Sequence, residues 1–190
     1  MTDRHPYAPG PAAGAHIQKE GEKWTLVLVR ELRHSPAVVW QALTDPAQLA
    51  QWAPFDADRN LAAPGPAKLS TVGAPAVQTS ETVVKRADAP KLLEYSWGGG
   101  ELRWELEPLA TGTRLTLWHN IDRRFISWGA AGWHICFDIL DRLLAGEPVG
   151  RIVGPAAMKF EGWQRLTAEY ASQFGLQAPT WPAGTPKQEQ

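Results

Sequence analysis

Residues 35–46, SPAVVWQALTDP, are the stretch that decides the fold. Ser35 suits a helix N-cap and Pro36 suits the first helical position, so a helix is predicted to begin here. Asp45-Pro46 repeats the same start signal for a second short helix. A strand comes before this pair, because residues 24–32, WTLVLVREL, are rich in strand-forming side chains. The predicted opening unit is therefore one strand followed by two short helices.

Repeated strand signals follow the two helices. Four runs of strand-forming residues, separated by turn residues, predict an antiparallel meander: residues 77–86, 92–97, 102–107 and 113–120. The hydrophobic period then changes, because apolar side chains from Trp133 to Leu144 recur three and four residues apart. Gly146 ends that helix and Pro155 begins another. We predict an α+β fold in which a curved antiparallel sheet wraps around a C-terminal helix.

The composition is that of an ordinary globular domain. The chain has 190 residues, of which 44% are hydrophobic, and Trp occurs ten times. Nineteen Lys and Arg oppose twenty Asp and Glu, and this balance argues against nucleic acid or an anionic membrane as a partner. No apolar run approaches the roughly 18 residues that span a bilayer. Residues 1–15 also lack the apolar core of a signal peptide, so we expect a cytoplasmic protein.

Three segments are expected along the chain. Residues 1–22 are rich in Pro, Gly and Ala and show no hydrophobic period, which predicts a flexible N-terminal tail. Residues 176–190 are predicted to form a second tail. The intervening residues 23–175 then form one domain, which is long enough to bury a sizeable core.

The order of these motifs resembles a known superfamily. Four segments carry the resemblance: residues 35–46, 81–97, 104–119 and 132–134. They are similar to START-like (SRPBCC) proteins, and more narrowly to the branch homologous to the activator of the heat-shock chaperone ATPase. The resemblance covers about residues 24–174 and implies a helix-grip fold with a hydrophobic cavity between sheet and helix. One departure is the break at residues 146–150, where the superfamily has a continuous last helix.

Aromatic side chains are the strongest indication of a site. They come from every segment that would bound the implied cavity, and small-molecule pockets combine such apolar linings with a few polar groups. The expected ligand-binding residues are Trp40, Trp52, Phe55, Tyr95, Trp97, Trp104, Leu117, His119, Phe125, Trp128, Trp133 and Phe137. The alternative is that these rings fill their own core and leave no free volume.

Few polar residues are candidates for chemistry. His119 shares a strand face with Leu115 and Leu117, where it either orients a ligand or is a half-buried histidine bonded to a backbone carbonyl. His134 and Asp138 are predicted to form an i, i+4 pair on the surface of their helix. Cys136, the single cysteine, falls on the apolar stripe and is expected to be a buried thiol. We expect no metal site, because no two histidines have the spacing that metal ligands show in sequence motifs. We also expect no cofactor.

The function expected first is non-catalytic binding of a small hydrophobic or aromatic molecule. A second possibility, which the resemblance implies, is a protein–protein module of the co-chaperone kind. A third is a cyclase- or dehydratase-like enzyme that uses His119 with Glu105 or Glu107. Those glutamates alternate with Trp104 and so are expected to face away from the cavity, which weakens the enzyme hypothesis.

Overall fold

A computed structural model describes residues 7–73 and 78–177 of the chain. The strands are β1 (Ala15–Glu20), β2 (Lys23–Leu32), β3 (Phe55–Ala57), β4 (Gly65–Thr71), β5 (Gln78–Val84), β6 (Arg86–Asp88), β7 (Leu92–Trp97), β8 (Gly100–Leu109) and β9 (Gly112–Asn120). The helices are α1 (Pro36–Thr44), α2 (Pro46–Trp52), α3 (Ile126–Leu144), α4 (Gly154–Met158) and α5 (Glu161–Gln173), with a 3-10 turn at Arg123–Phe125 before α3.

Local capping explains the opening unit. The Ser35 hydroxyl accepts a hydrogen bond from the backbone N–H of Val38 at 3.4 Å, at the start of α1. The Asp45 carboxylate accepts from the N–H of Ala47 at 3.0 Å, at the start of α2. Each cap satisfies a backbone donor that has no partner inside the helix. The predicted strand and helix pair are therefore present at almost the predicted bounds.

Two antiparallel sheets form the curved wall of the fold. The larger sheet has the strand order β1-β2-β9-β8-β7-β6, and the smaller has the order β3-β4-β5. The N–H of Ser96 on β7 donates to the hydroxyl of Thr82 on β5 at 3.0 Å, which joins the two sheets. Along β9 alternate side chains are buried, and His119 at its end lies opposite Leu26 of β2 and Leu102 of β8. The register therefore carries His119 onto the same face as the apolar core.

The sheet grips α3, which runs through the centre of the domain. This helix packs against β2 on one side and against α5 on another. Its apolar stripe is buried, and residues such as Phe137 and Leu140 are fully enclosed, each contributing about 1.5–3 kcal/mol by burial. The predicted α+β class, a helix-grip sheet around a helix, is confirmed. No helix in the two described ranges is long and apolar enough to cross a membrane.

The N-terminal residues differ from the predicted tail. β1 adds an edge strand to the larger sheet by pairing with β2, and residues 7–14 lie across α5. Arg165 of α5 donates to the carbonyl oxygen of Pro9 at 2.6 Å, and the Tyr170 hydroxyl donates to that of Ala13 at 3.0 Å. The N-terminal residues contribute backbone carbonyl groups to these contacts. A search for hydrophobic periodicity therefore could not predict that this segment docks on α5. Residues 178–190 of the predicted C-terminal tail lie outside the described part of the chain.

Candidate functional site

A cavity of about 590 Å³ lies at one end of α3. The sheet contributes Trp97, His119 and Asn120 to its wall. The 3-10 turn and α3 contribute Phe125, Trp128, Gly129, Gly132, Trp133 and Cys136. The chain after α3 contributes Ile152, Val153, Gly154, Ala157, Met158 and Trp163. Three separate parts of the chain therefore enclose a mainly apolar space of the size that binds small molecules.

The structure divides the twelve predicted residues into two groups. Those that line the cavity are Trp97, His119, Phe125, Trp128 and Trp133. Those that lie in the packed core instead, away from the cavity wall, are Trp40, Trp52, Phe55, Tyr95, Trp104, Leu117 and Phe137. The predicted wall was thus too large, because the rings deeper in the grip pack on one another.

Ring contacts and satisfied indole N–H groups explain why that deeper half is filled. Trp104 meets Trp52 edge to face, with ring centroids 6.0 Å apart. Its indole N–H donates to the hydroxyl of Tyr95 at 3.1 Å, and that of Trp52 donates to the carbonyl of Ala42 at 2.9 Å. A buried indole needs such a partner, so these rings have fixed orientations. Together they form a solid floor beneath the cavity.

His119 sits where this floor meets the cavity. The indole N–H of Trp133 donates to His119 Nδ1 at 3.0 Å, and the ring of Trp97 lies 5.9 Å away between centroids. In the described residues no backbone carbonyl accepts from His119, as one of the two alternatives assumed; its imidazole instead accepts from an indole. Burial lowers the pKa of His119 to about 4, because charging an enclosed imidazole costs solvation energy. The imidazole is therefore neutral near pH 7.

His134 is buried, and its prediction as a surface residue was wrong. Its Nδ1 lies 2.6 Å from the hydroxyl of Tyr170, and its Nε2 lies 3.5 Å from the carboxylate of Asp138. Asp138 also accepts from Arg30 and from the hydroxyl of Tyr7, each at 2.6 Å. The N-terminal residues and α5 cover this side of α3, which a helix taken alone would expose to water. Burial lowers the pKa of His134 against the opposing effect of Asp138.

Cys136 is a buried thiol, as predicted. It lies on the apolar side of α3 and is only 3% exposed. Burial raises the pKa of this thiol to about 12, so the reactive thiolate is scarce near pH 7. Across the described ranges no three His, Cys, Asp or Glu side chains gather as metal ligands would.

The segment after α3 was missed as a wall of the cavity. Arg151 holds it in place through an ion pair with Asp56 at 2.7 Å. Gly154 then brings the backbone close to the end of β4, at φ +59°, where a Cβ would stand 2.8 Å from the carbonyl oxygen of Val72. The signal in the sequence was the Gly154-Pro155 pair that begins α4, which marks a sharp change of direction but does not show where the chain then goes.

The sheet, the gripped helix and the cavity between them define a helix-grip protein. Residues 33–145 match the model of the family described as Activator of Hsp90 ATPase homolog 1-like protein. The match spans more than half of the chain, and the protein belongs to this family. The resemblance seen in the sequence is thereby confirmed. No curated protein matches the chain.

Solved structures share the fold at low sequence identity. A conserved protein of unknown function from Enterococcus faecalis is 17% identical with a TM-score of 0.65, over 86% of this chain and 92% of that one. The CalU16 protein from Micromonospora echinospora is 20% identical with a TM-score of 0.59, over 87% and 98% of the two chains. An AHSA1-like protein from Aeromonas hydrophila is 17% identical with a TM-score of 0.54, over 64% and 92%. At these identities the likeness establishes the fold alone.

Proposed function

We propose that the protein binds a small apolar or aromatic molecule in the cavity beside α3 and does no chemistry on it. One observation carries this proposal: a space of about 590 Å³ that is walled by the rings of Trp97, Phe125 and Trp133. Volumes of about 300–1,000 Å³ with apolar linings are typical of small-molecule sites. The satisfied rings of the floor keep this space from collapsing, because they already pack on one another.

The outer face of the sheet supports the second possibility, a protein–protein module, less well than the cavity supports ligand binding. Such a module would present a contiguous apolar patch or unpaired charge. On this face Arg103 pairs with Glu105, and Arg114 pairs with Glu107 at 3.2 Å. The exposed large hydrophobic side chains of the described residues lie on three separate elements: Val38, Val83 and Phe125.

The same pairs bear on the enzyme hypothesis. Glu105 and Glu107 face away from the cavity, as predicted from their alternation with Trp104. Neither carboxylate therefore stands beside His119 to relay a proton. Binding without turnover remains the function that the geometry favours.

The test is a binding survey with neutral aromatic and alicyclic molecules, followed by tryptophan fluorescence and by melting temperature. A molecule present at 100 times its dissociation constant is expected to stabilise the fold by about 2.7 kcal/mol. Gly132 offers the critical variant, because it lines the cavity in mid-helix and a Cβ there would lie 3.9 Å from the nearest atom, Nε1 of Trp163. Gly132→Leu fills the space with apolar carbon without distorting the helix.

We expect Gly132→Leu to weaken binding by about tenfold or more, since the ligand loses apolar contacts worth about 0.8 kcal/mol per CH₂ group. The matched control is Ala168→Leu, an addition of similar size at an exposed position of α5. It is expected to leave the affinity unchanged. A panel with no binder, or equal affinities in both variants, would contradict the proposal.

A further inference from the structure

The hydrogen bond from Trp133 determines which ring nitrogen of His119 carries the proton. An indole nitrogen can only donate a hydrogen bond, so His119 Nδ1, at 3.0 Å, must accept with its lone pair. A neutral imidazole has one proton, and here it must be on Nε2. The tautomer of His119 is thus set by a neighbour on another element, and the ring presents an N–H donor from Nε2.

That donor has no hydrogen-bond partner in residues 7–73 and 78–177. Within the described residues Nε2 of His119 makes no hydrogen bond, although the side chain is 93% buried and lines the cavity. Two polar neighbours on the wall bond to other residues and not to His119: the amide nitrogen of Asn120 donates to the hydroxyl of Thr25 at 2.9 Å, and the carboxylate of Asp122 accepts from Arg124. Nε2 is not sealed within the protein, because His119 lines the cavity and this atom keeps access to its space. A ligand acceptor that replaces solvent there forms its hydrogen bond in mainly apolar surroundings, where the bond is stronger than in water.

We propose that the ligand of this cavity is a neutral molecule with an oxygen acceptor, such as a ketone, that receives the Nε2–H of His119. The proposal rests on the function proposed above and names its ligand class. His119 is then the residue that determines specificity, and Trp133 is a positioning residue that acts through it. A ligand ammonium group is disfavoured beside Nε2, because two donors would then face each other.

The experiment uses 1-tetralone and tetralin, which share a ring system and differ in one carbonyl oxygen. Affinities of both are measured by calorimetry for the wild-type protein, for His119→Phe and for the control His16→Phe. Phe keeps a ring against Trp97 and Trp133 but removes the donor, and His16 is an exposed residue of β1 outside the cavity. Comparing the ratio of the two dissociation constants cancels the different hydrophobicity of the probes.

We expect His119→Phe to reduce the preference for the ketone by about tenfold, the worth of one buried hydrogen bond, while tetralin binding changes little. His16→Phe is expected to keep the wild-type ratio. If both probes bind and the ratio is the same in all three proteins, the inference fails and the proposed function stands. If neither probe nor any member of the wider survey binds, both fail together.

A second measurement needs no variant at position 119. Nitrogen-15 chemical shifts of the imidazole distinguish its tautomers, and we expect Nδ1 to be unprotonated and Nε2 protonated in the wild-type protein. Adding 1-tetralone is expected to shift the Nε2–H signal, whereas tetralin leaves it in place. In Trp133→Phe the constraint on Nδ1 is removed and both tautomers are expected. A proton on Nδ1 in the wild-type protein, or equal shifts with both probes, would overturn the inference.

Discussion

The enclosure of His119 has a measurable consequence for acid stability. Burial lowers its pKa from 6.5 to about 4, and protonation of Nδ1 would also break the bond from Trp133. Between these two pH values the unfolded chain binds a proton that the folded protein does not. Stability from His119 is therefore fully present above pH 6.5 and is lost as the pH falls toward 4. The gap corresponds to about 3 kcal/mol of unfolding free energy.

Urea unfolding at a series of pH values from about 7.5 to 4 measures this loss, in the wild-type protein and in His119→Phe. The quantity of interest is the difference between the two free energies, because carboxylates and His134 are common to both proteins and cancel. We expect the wild-type protein to lose about 3 kcal/mol relative to the variant across this range. His16→Gln, at an exposed position, is expected to show the wild-type dependence. A difference that stays constant with pH would refute the reasoning.

Two further predictions concern Cys136 of α3 and the contact that Tyr7 makes with Asp138 of that helix. Cys136, whose pKa burial raises to about 12, is expected to react with iodoacetamide far more slowly in the native protein than in urea, and Cys136→Ala to cost about 1 kcal/mol in a denaturant titration. Fast native labelling would show that the thiol is accessible. Tyr7→Phe removes the 2.6 Å bond to Asp138 and is expected to cost about 1–2 kcal/mol. Hydrogen exchange should then quicken at residues 8–15 and not in β9, and uniform quickening would contradict this local effect.

The parts of the fold that local chemistry determines could be predicted from the sequence. Ser35 and Asp45 cap the helices that directly follow them, so the signal and its effect lie within three residues. The alternation along β9 placed His119 on the inner face for the same reason, since side chains of a strand change face at every step. Neither inference required knowledge of a distant segment.

What the sequence did not reveal depends on segments that meet only in the folded chain. His134 is polar and lies off the apolar stripe, and only the docking of Tyr170 and the N-terminal residues buries it. The bond from Trp133 to His119 joins α3 to β9. No local sequence pattern specifies how far along the sheet the helix lies, so this contact could not be predicted. The sequence also could not show which of the twelve predicted residues line the cavity and which lie in the packed core. That division depends on how far each side chain reaches into the folded domain.

The wall formed after α3 has an evolutionary consequence. Residues 33–145 match the family model, whereas Ile152, Met158 and Trp163, which close the cavity, lie beyond that match. The Arg151–Asp56 pair holds the start of this segment, and Ile152 and Met158 are only partly buried, whereas Trp163 belongs to the core where α5 packs on α3. Mutations at Ile152 and Met158 can therefore change the shape of the cavity with little effect on the buried core. Under the proposed function, substitutions at these two positions would let ligand preference diverge among related proteins faster than the scaffold does.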